Sequence, residues 1–420
     1  MIIKNGRVYL NGNYEKKDLR IQDGIITEIS EDIKDESDSQ IFDAQYMVIN
    51  PGFVDPHVHL RQPGKETEET IESGTKAAAR GGFTTVGAMP NVTPVPDTTD
   101  KFNKQLKLNS NADINVVQYA PITVNETGNE LVDFVELQKL GAFAFSNDGK
   151  GVTNTKTMFE AMKKIKQLNS HLAAHIEDAD IFGNGVINEG TKSTEFNLPG
   201  ISRVAETAQL ARDLALVAET GVHYHACHIS TKESVEMIRV AKEKGLNVTC
   251  EVTPHHLLLS EEDIVSDDAL YKMNPPLRAK EDKDALIKGI QEGVIDIIAT
   301  DHAPHVASKK EGGFIGSAFG ISGIETVFPL IYTKLVKESV IPLTELINLI
   351  STKPAHIFNL SAPKISVGEK ANLNIIDIMD SYSIDTNDFL SKGKNTPFNN
   401  WLVYGKIKLT VCNGKVVYGG

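Results

Sequence analysis

Between residues 47 and 301, eight short apolar runs recur, with helix-like stretches between most of them. The runs are MVINPGFVDPHVH, TTVGAM, INVVQYA, AFAFS, HLAAH, VHYHACH, NVTCEV and IDIIATD. The intervening stretches include ETEETIESGTKAAARG, TKTMFEAMKKIKQL, SRVAETAQLARDLALVAETG and KESVEMIRVAKEKG. Their apolar residues stand three and four apart, and several close on glycine. Eight strands alternating with helices predict an α/β chain folded as a (β/α)8 barrel of the TIM type. A doubly wound open sheet is the rival. No G-x-G-x-x-G follows the first run, which weakens the dinucleotide-binding version of that rival.

Both ends of the chain keep a different rhythm. RVYLNGNYE and RIQDGIITEIS each place a turn dipeptide, Asn11-Gly12 and Asp23-Gly24, between short alternating runs. That is the hairpin signature. The last sixty residues return to it in KANLNIIDI and in WLVYGKIKLTVCNGKVVYGG, where Asn413-Gly414 is the turn. Residues 1–50 and 361–420 are therefore expected to meet in one small β-sandwich domain, with 51–360 forming the barrel.

Charge and cysteine content narrow the function. The net charge of −13 argues against nucleic acid or an anionic membrane as partner. An anionic substrate would need positive charge supplied by the site itself. Three cysteines without a CxxC pair fit a reducing compartment. Cys227 and Cys250 lie in apolar runs and read as buried small hydrophobes. The first residues lack a basic segment followed by an apolar one, and no run reaches the ~18–20 apolar residues of a membrane span. A cytoplasmic protein is expected.

In a (β/α)8 barrel, reacting groups sit where strands end. Here those ends are polar. The first run closes on Asp55-Pro56-His57-Val58-His59-Leu60-Arg61, and histidines two apart on a strand share a face. Two imidazoles inside a barrel are costly to bury without a partner. The fifth, sixth and eighth runs end at His175, His228 and Asp301. Such residues at four strand ends of eight indicate a site for more than one divalent ion. His223 and His225 read as core or rim residues, and His171 and His356 as structural. His255-His256, after the seventh run, could support the site or touch substrate.

The fourth run breaks off in GAFAFSNDGKG, residues 141–151. This could be a surface turn, a phosphate-cradling loop, or a strand end delivering Asp148 to the site. The phosphate reading fails on spacing, because G-x-x-x-x-G-K-[ST] is absent and Val152 stands where a hydroxyl is wanted. Asn-Asp-Gly suits a generic turn. Its place at a barrel strand end favours the third reading.

DPHVHLR, MPNVTP, TPHHL, MNPPLR and ATDHAPH, in this order, resemble the amidohydrolase superfamily, and within it the dihydroorotases of the long bacterial type. The resemblance covers effectively the whole chain. It implies that His57, His59 and Asp301 hold one ion and that His175 and His228 hold a second. Related hydantoinases bridge the ions with a carboxylated lysine at the fourth strand end. This chain has Asp148 there, as some long-type relatives do. An aspartate also offers two oxygens, but it is shorter, and Gly149 and Gly151 would let the loop bring it close. Lys150, further along the loop, is the weaker choice for a carboxylated residue.

The same resemblance implies two divalent ions, by preference zinc, and reversible cyclisation of N-carbamoyl-L-aspartate to L-dihydroorotate. Asp301 would act as general acid–base. Arg61, Asn91 and His305 would hold the substrate carboxylate, with His59 also at the substrate. Asn274 would contact the ring, together with the backbone of Phe319 and Gly320 in the glycine-rich EGGFIGSAFGISG. Arg278 reads as structural or rim. A homodimer and an association with aspartate carbamoyltransferase are expected. Two rivals remain. One is another cyclic amidase, such as hydantoinase/dihydropyrimidinase or allantoinase, against which Arg61 and Asn91 argue. The other is an inactive barrel supporting a transcarbamoylase, although such relatives lose ligand positions and here all are filled.

Overall fold

The computed structural model describes residues 1–34 and 40–419. Eight parallel strands form one sheet: β1 (Phe53–Val58), β2 (Phe83–Ala88), β3 (Asn115–Ala120), β4 (Ala142–Phe145), β5 (His171–Ala174), β6 (His223–Ala226), β7 (Val248–Val252) and β8 (Ile297–Ile298). Each pairs with the next in chain order. A parallel bridge between Val58 and His302, just beyond β8, brings the last strand's continuation back to β1. The expected (β/α)8 barrel is the fold, and this closure removes the open-sheet rival.

Local signals explain the crossover helices. Thr155–Gln167 starts where the Asn154 side chain accepts from the Thr157 amide, and Lys232–Glu243 where Thr231 accepts from that of Ser234. Such caps satisfy amides that have no partner within the helix. Val204–Thr220 stops at Gly221, whose φ of 64° lies in the left-handed region. The helix expected from Glu66 onward starts later, at Ile71, because the Thr70 hydroxyl takes the Ser73 amide and sets the first turn there.

The first apolar run is shared between two sheets. Val48–Pro51 pairs antiparallel with Leu373–Ser383, whereas Phe53–Val58 opens the barrel. Val48–Pro51 thus belongs to an eight-stranded sheet built from both ends of the chain, in which Ile2–Leu10 is a neighbour. All three expected hairpins are present, joining Ile2–Leu10 to Asn13–Gln22, Asn13–Gln22 to Ile25–Ser30, and Leu402–Cys412 to Lys415–Gly419. This sheet has its own core, including Ile3, Val8, Leu19, Ile49, Leu373 and Val411.

The barrel interior is filled. Met89, Tyr119, Ala144, Ala173, Cys227, Ile297 and Phe358 form one apolar cluster. Phe358 follows the helix Lys353–Ile357 and packs its ring on Tyr119, Phe143, His171 and His225. Gly87 on β2 leaves room for this packing: a Cβ there would lie 2.7 Å from the Pro56 carbonyl and 2.9 Å from the Phe143 ring. With the lower barrel closed, polar side chains collect at the opposite end. Among the described residues, no helix is long and apolar enough to cross a membrane.

Candidate metal centre

The structure brings His57, His59, Asp148, His175, His228 and Asp301 together at the C-terminal ends of the barrel strands. All six side chains are buried. Asp148 lies at the middle of the group. Its Oδ1 is 3.3 Å from His57 Nε2, 3.7 Å from His175 Nδ1 and 3.6 Å from His228 Nε2, while Oδ2 is 3.3 Å from His59 Nε2. Asp301 Oδ1 is 2.9 Å from His59 Nε2 and 3.5 Å from His57 Nε2. His175 Nδ1 and His228 Nε2 are 3.0 Å apart. The donors fall into two sets that share only Asp148: His57, His59, Asp148 and Asp301, and Asp148, His175 and His228.

The donor set fits divalent cations. His57 Nε2 and Asp148 Oδ1 are buried and make no hydrogen bond in the structure. Buried polar atoms are normally satisfied, so two such atoms facing one another call for a further partner between them. Imidazole nitrogen and carboxylate oxygen are the donors that zinc and similar ions take.

Electrostatics point the same way. Burial alone would lower the imidazoles and raise the carboxylates. The Asp148 and Glu251 charges outweigh burial at His57 and hold it well above its ordinary value. At His175, the nearby Asp148 and Glu177 carboxylates outweigh burial and raise the imidazole to about 10. The histidines in turn hold Asp148 well below the usual carboxylate range. This cluster concentrates negative charge that demands cations, whether protons or metal ions.

Local backbone structure delivers these groups. After β4, the Asn147 side chain accepts from the Ile122 and Thr123 amides at 2.8 and 3.1 Å and donates to Thr123 Oγ1 at 2.7 Å. That anchors the loop one residue before Asp148. Gly149 and Gly151 then take positive φ, 82° and 62°. Lys150 is exposed and stands outside the donor sets. Three non-glycine site residues also have positive φ: Arg61 at 60°, His228 at 32° and Asp301 at 46°. Strain of this kind persists where surrounding structure over-determines a site.

A further layer of side chains orients the donors. Glu251 on β7 takes His57 Nδ1 at 2.5 Å with one oxygen and His225 Nε2 at 3.0 Å with the other. Asn91 Oδ1 accepts from His59 Nδ1 at 2.9 Å, so Asn91 sets that ring's orientation. Glu177 lies 3.4 Å from His175 Nε2 and accepts from Asn274 Nδ2 at 2.5 Å. Neither Glu251 nor Glu177 stood out in the sequence. The available signal was an acid inside the apolar strand NVTCEV and another two residues beyond His175.

Above the cluster opens a cavity of about 200 Å³. Its walls include His59, Arg61, Asn91, Asn274, Phe319 and Gly320, with Asp148, His175, His228 and Asp301 at the bottom. Arg61 reaches it by its left-handed backbone and not by strand alternation, since β1 ends at Val58. His305 stands beside Arg61, with Nε2 3.4 Å from the Arg61 guanidinium and 2.8 Å from the Phe319 carbonyl, and is held from behind by Glu68. Arg278 is buried away from the cavity against Asn188, Ser230 and Glu206. His256 is bonded to Thr253 and the Pro275 carbonyl, and neither it nor His255 lines the cavity.

A second group of histidines lies at the other end of the barrel. His171 and His223, the first residues of β5 and β6, meet through their Nδ1 atoms. Asn359 donates to His171 Nε2 at 3.1 Å, and Thr249 Oγ1 lies 2.9 Å from His223 Nε2 and 2.8 Å from His225 Nδ1.

A closed (β/α)8 barrel carrying histidines and carboxylates at the ends of its strands is the arrangement that the resemblance to the amidohydrolase class implied. Solved structures agree. An L-hydantoinase (dihydropyrimidinase) from Arthrobacter aurescens superposes with a TM-score of 0.89 at 26% identity, covering 100% of this chain and 96% of that one. The family model described as dihydro-orotase-like matches residues 46–234. A dihydroorotase of Lactobacillus johnsonii is 50% identical over 99% of this chain and 98% of its own length, and one of Geobacillus sp. is 48% identical over 100% and 98%. The chain belongs to the dihydroorotase family.

Proposed function

We propose that this chain interconverts N-carbamoyl-L-aspartate and L-dihydroorotate in the cytoplasm, as the ring-closing step of pyrimidine biosynthesis, and that Asp148 joins two divalent ions, most readily zinc. The observation that carries this reading is the Asp148 carboxylate, with one oxygen toward His57, His175 and His228 and the other toward His59. His57, His59 and Asp301 would hold one ion, and His175 and His228 the other. When bound, the ions supply Lewis acidity, which lowers the pKa of water to about 7 and polarises a carbonyl.

The chain's own residues account for the remaining requirements. Ring opening adds water oxygen to the amide carbonyl carbon and breaks the bond from that carbon to the ring nitrogen, which must gain a proton. Asp301 would take the proton from water and return it to the departing nitrogen, a role supported by its contact with His59 and its exposure to the cavity. Ring closure reverses each transfer. Arg61 would hold the substrate carboxylate by a charge-assisted contact, with His305 beside it and Asn91 fixing His59. Asn274, with Phe319 and Gly320, would contact the ring. Hydantoin and allantoin carry no ring carboxylate to pair with the buried Arg61, which favours the acid-bearing ring.

Turnover of dihydroorotate measured against hydantoin and allantoin, with elemental analysis of the same sample, tests this reading. Dihydroorotate is expected to dominate, with two metals per chain. No turnover of dihydroorotate would overturn it. Assembly as a homodimer, and with aspartate carbamoyltransferase, is tested by sedimentation velocity alone and after mixing.

A further inference from the structure

Phe319 and Gly320 reach the cavity on a segment whose composition gives it little stiffness, since EGGFIGSAFG has four glycines in ten residues. Two ammonium groups tie it down. Lys310, buried at the end of the short turn Ala307–Lys310, donates to the carbonyls of Lys272 at 3.0 Å, Ala318 at 2.8 Å and Gly320 at 3.1 Å. Those three bonds use every donor an ammonium has. Lys272 donates to the carbonyls of Phe314 and Ser317 at 2.5 and 2.6 Å, and its ammonium lies 4.2 Å from the centre of the Phe319 ring.

The placement of these bonds matters more than their number. Ala318 and Gly320 flank Phe319, so Lys310 grips the backbone on both sides of it. The Phe319 carbonyl is left facing His305 Nε2 at 2.8 Å. Gly320 cannot be replaced as a means of fixing this geometry, because its φ is 137° and a Cβ would lie 2.7 Å from Ala303 Cβ. The third carbonyl, that of Lys272, also accepts from the Gly320 amide at 3.0 Å. Lys272 stands two residues before Asn274. One ammonium therefore joins the segment carrying Phe319–Gly320 to the segment carrying Asn274.

We propose that Lys310 is a positioning residue for substrate, which holds the Phe319–Gly320 backbone and the Asn274 segment together as one wall of the cavity. The inference rests on the reading of that cavity as the dihydroorotate site. It also carries a pH dependence. Burial, with the Lys272 charge adding to it and Asp268 opposing, pushes the Lys310 ammonium down to about 7. Of the other charged groups nearby, Lys309 is paired with Glu68, and Asp267 accepts from the Phe314 amide. As pH rises through that value, Lys310 loses charge and one donor. The wall loosens and the substrate KM rises, while Asp301 and the metal-type donors keep their places.

Steady-state kinetics of the metal-loaded enzyme from about pH 6 to about pH 9 test this, using the native chain, Lys310→Met and Lys310→Arg. In the native enzyme, KM for dihydroorotate is expected to rise above neutrality with kcat changing much less. Lys310→Met is expected to raise KM about tenfold at neutral pH, with kcat within about twofold and metal content unchanged. Lys310→Arg stays charged throughout and should flatten the rise. A Lys310→Met enzyme with full metal content and native KM overturns the proposal. If that variant does not fold, a native KM that stays level across the range overturns it. Absence of dihydroorotate turnover by the native enzyme is a separate result, which removes the reading of the site itself.

Discussion

Histidines gather at both ends of the barrel, and β5 and β6 supply both groups. β5 begins at His171 and leads to His175, and β6 begins at His223 and leads to His228. At the mouth, imidazoles face Asp148, Asp301, Glu177 and Glu251, and His175 is held at about 10. At the floor they meet each other, a threonine hydroxyl and an asparagine amide. There burial and neighbouring imidazoles lower His171 to about 4 and His223 to about 3. The same side chain on β5 thus carries opposite charge preference at its two ends. Burial is common to both, so the carboxylates make the difference.

Removing the carboxylate common to both donor sets should break the contrast most severely. Asp148→Ala is expected to lose bound metal and to lower dihydroorotate turnover by more than about a hundredfold, beyond the range typical of supporting residues. Elemental analysis alongside the activity assay checks it. Full activity with two metals retained would mean that Asp148 bridges nothing.

A milder change tests whether the mouth depends on its supporting layer. Glu251→Gln keeps the shape but removes the charge that receives His57 Nδ1 and His225 Nε2. Metal affinity should fall by about ten- to a hundredfold, read by competition with a chelator. An unchanged affinity would show that packing alone orients His57.

The smallest effect belongs to the floor. His171 and His223 have folded pKa values below the ordinary value of 6.5. Between that value and about 4, the unfolded chain binds protons that the folded chain refuses, so stability falls as pH falls through this window. His223→Gln should therefore lose less Tm than the native protein on going from about pH 7 to about pH 5, with turnover at neutral pH within about twofold. An identical acid loss in both would assign the sensitivity to other groups.

The mouth was legible in the sequence because its donors stop apolar runs, and a barrel turns every such stop toward one end. His57, His59, His175, His228 and Asp301 could be placed from that rule. Asp148 needed the fourth run to be recognised as a strand, since its loop otherwise reads as a turn. Glu251 was hidden for the opposite reason: it lies within a strand, where one acid among apolar residues gives no hint of which histidine it serves. Arg61 was anticipated at the cavity by resemblance, and its left-handed backbone lies beyond the end of β1 and follows no strand alternation. The lysine clamp on Phe319 was invisible, because its acceptors are backbone carbonyls, which every residue possesses. The division of MVINPGFVDPHVH was equally hidden, because both halves are apolar and only their partners differ.

That division has a consequence for how the chain is made. Val48–Pro51 is buried throughout its length, between Ile2–Leu10 on one side and Leu373–Ser383 on the other. During synthesis from the N-terminus, the first of these neighbours is present at once, whereas the second emerges only after the whole barrel has been translated. Until then an apolar strand has an open edge, the kind of surface on which nascent chains stick to one another. A product ending short of residue 373 would retain every metal-type donor and still be expected to aggregate. The enzyme's weakest moment lies in its own assembly, far from its chemistry.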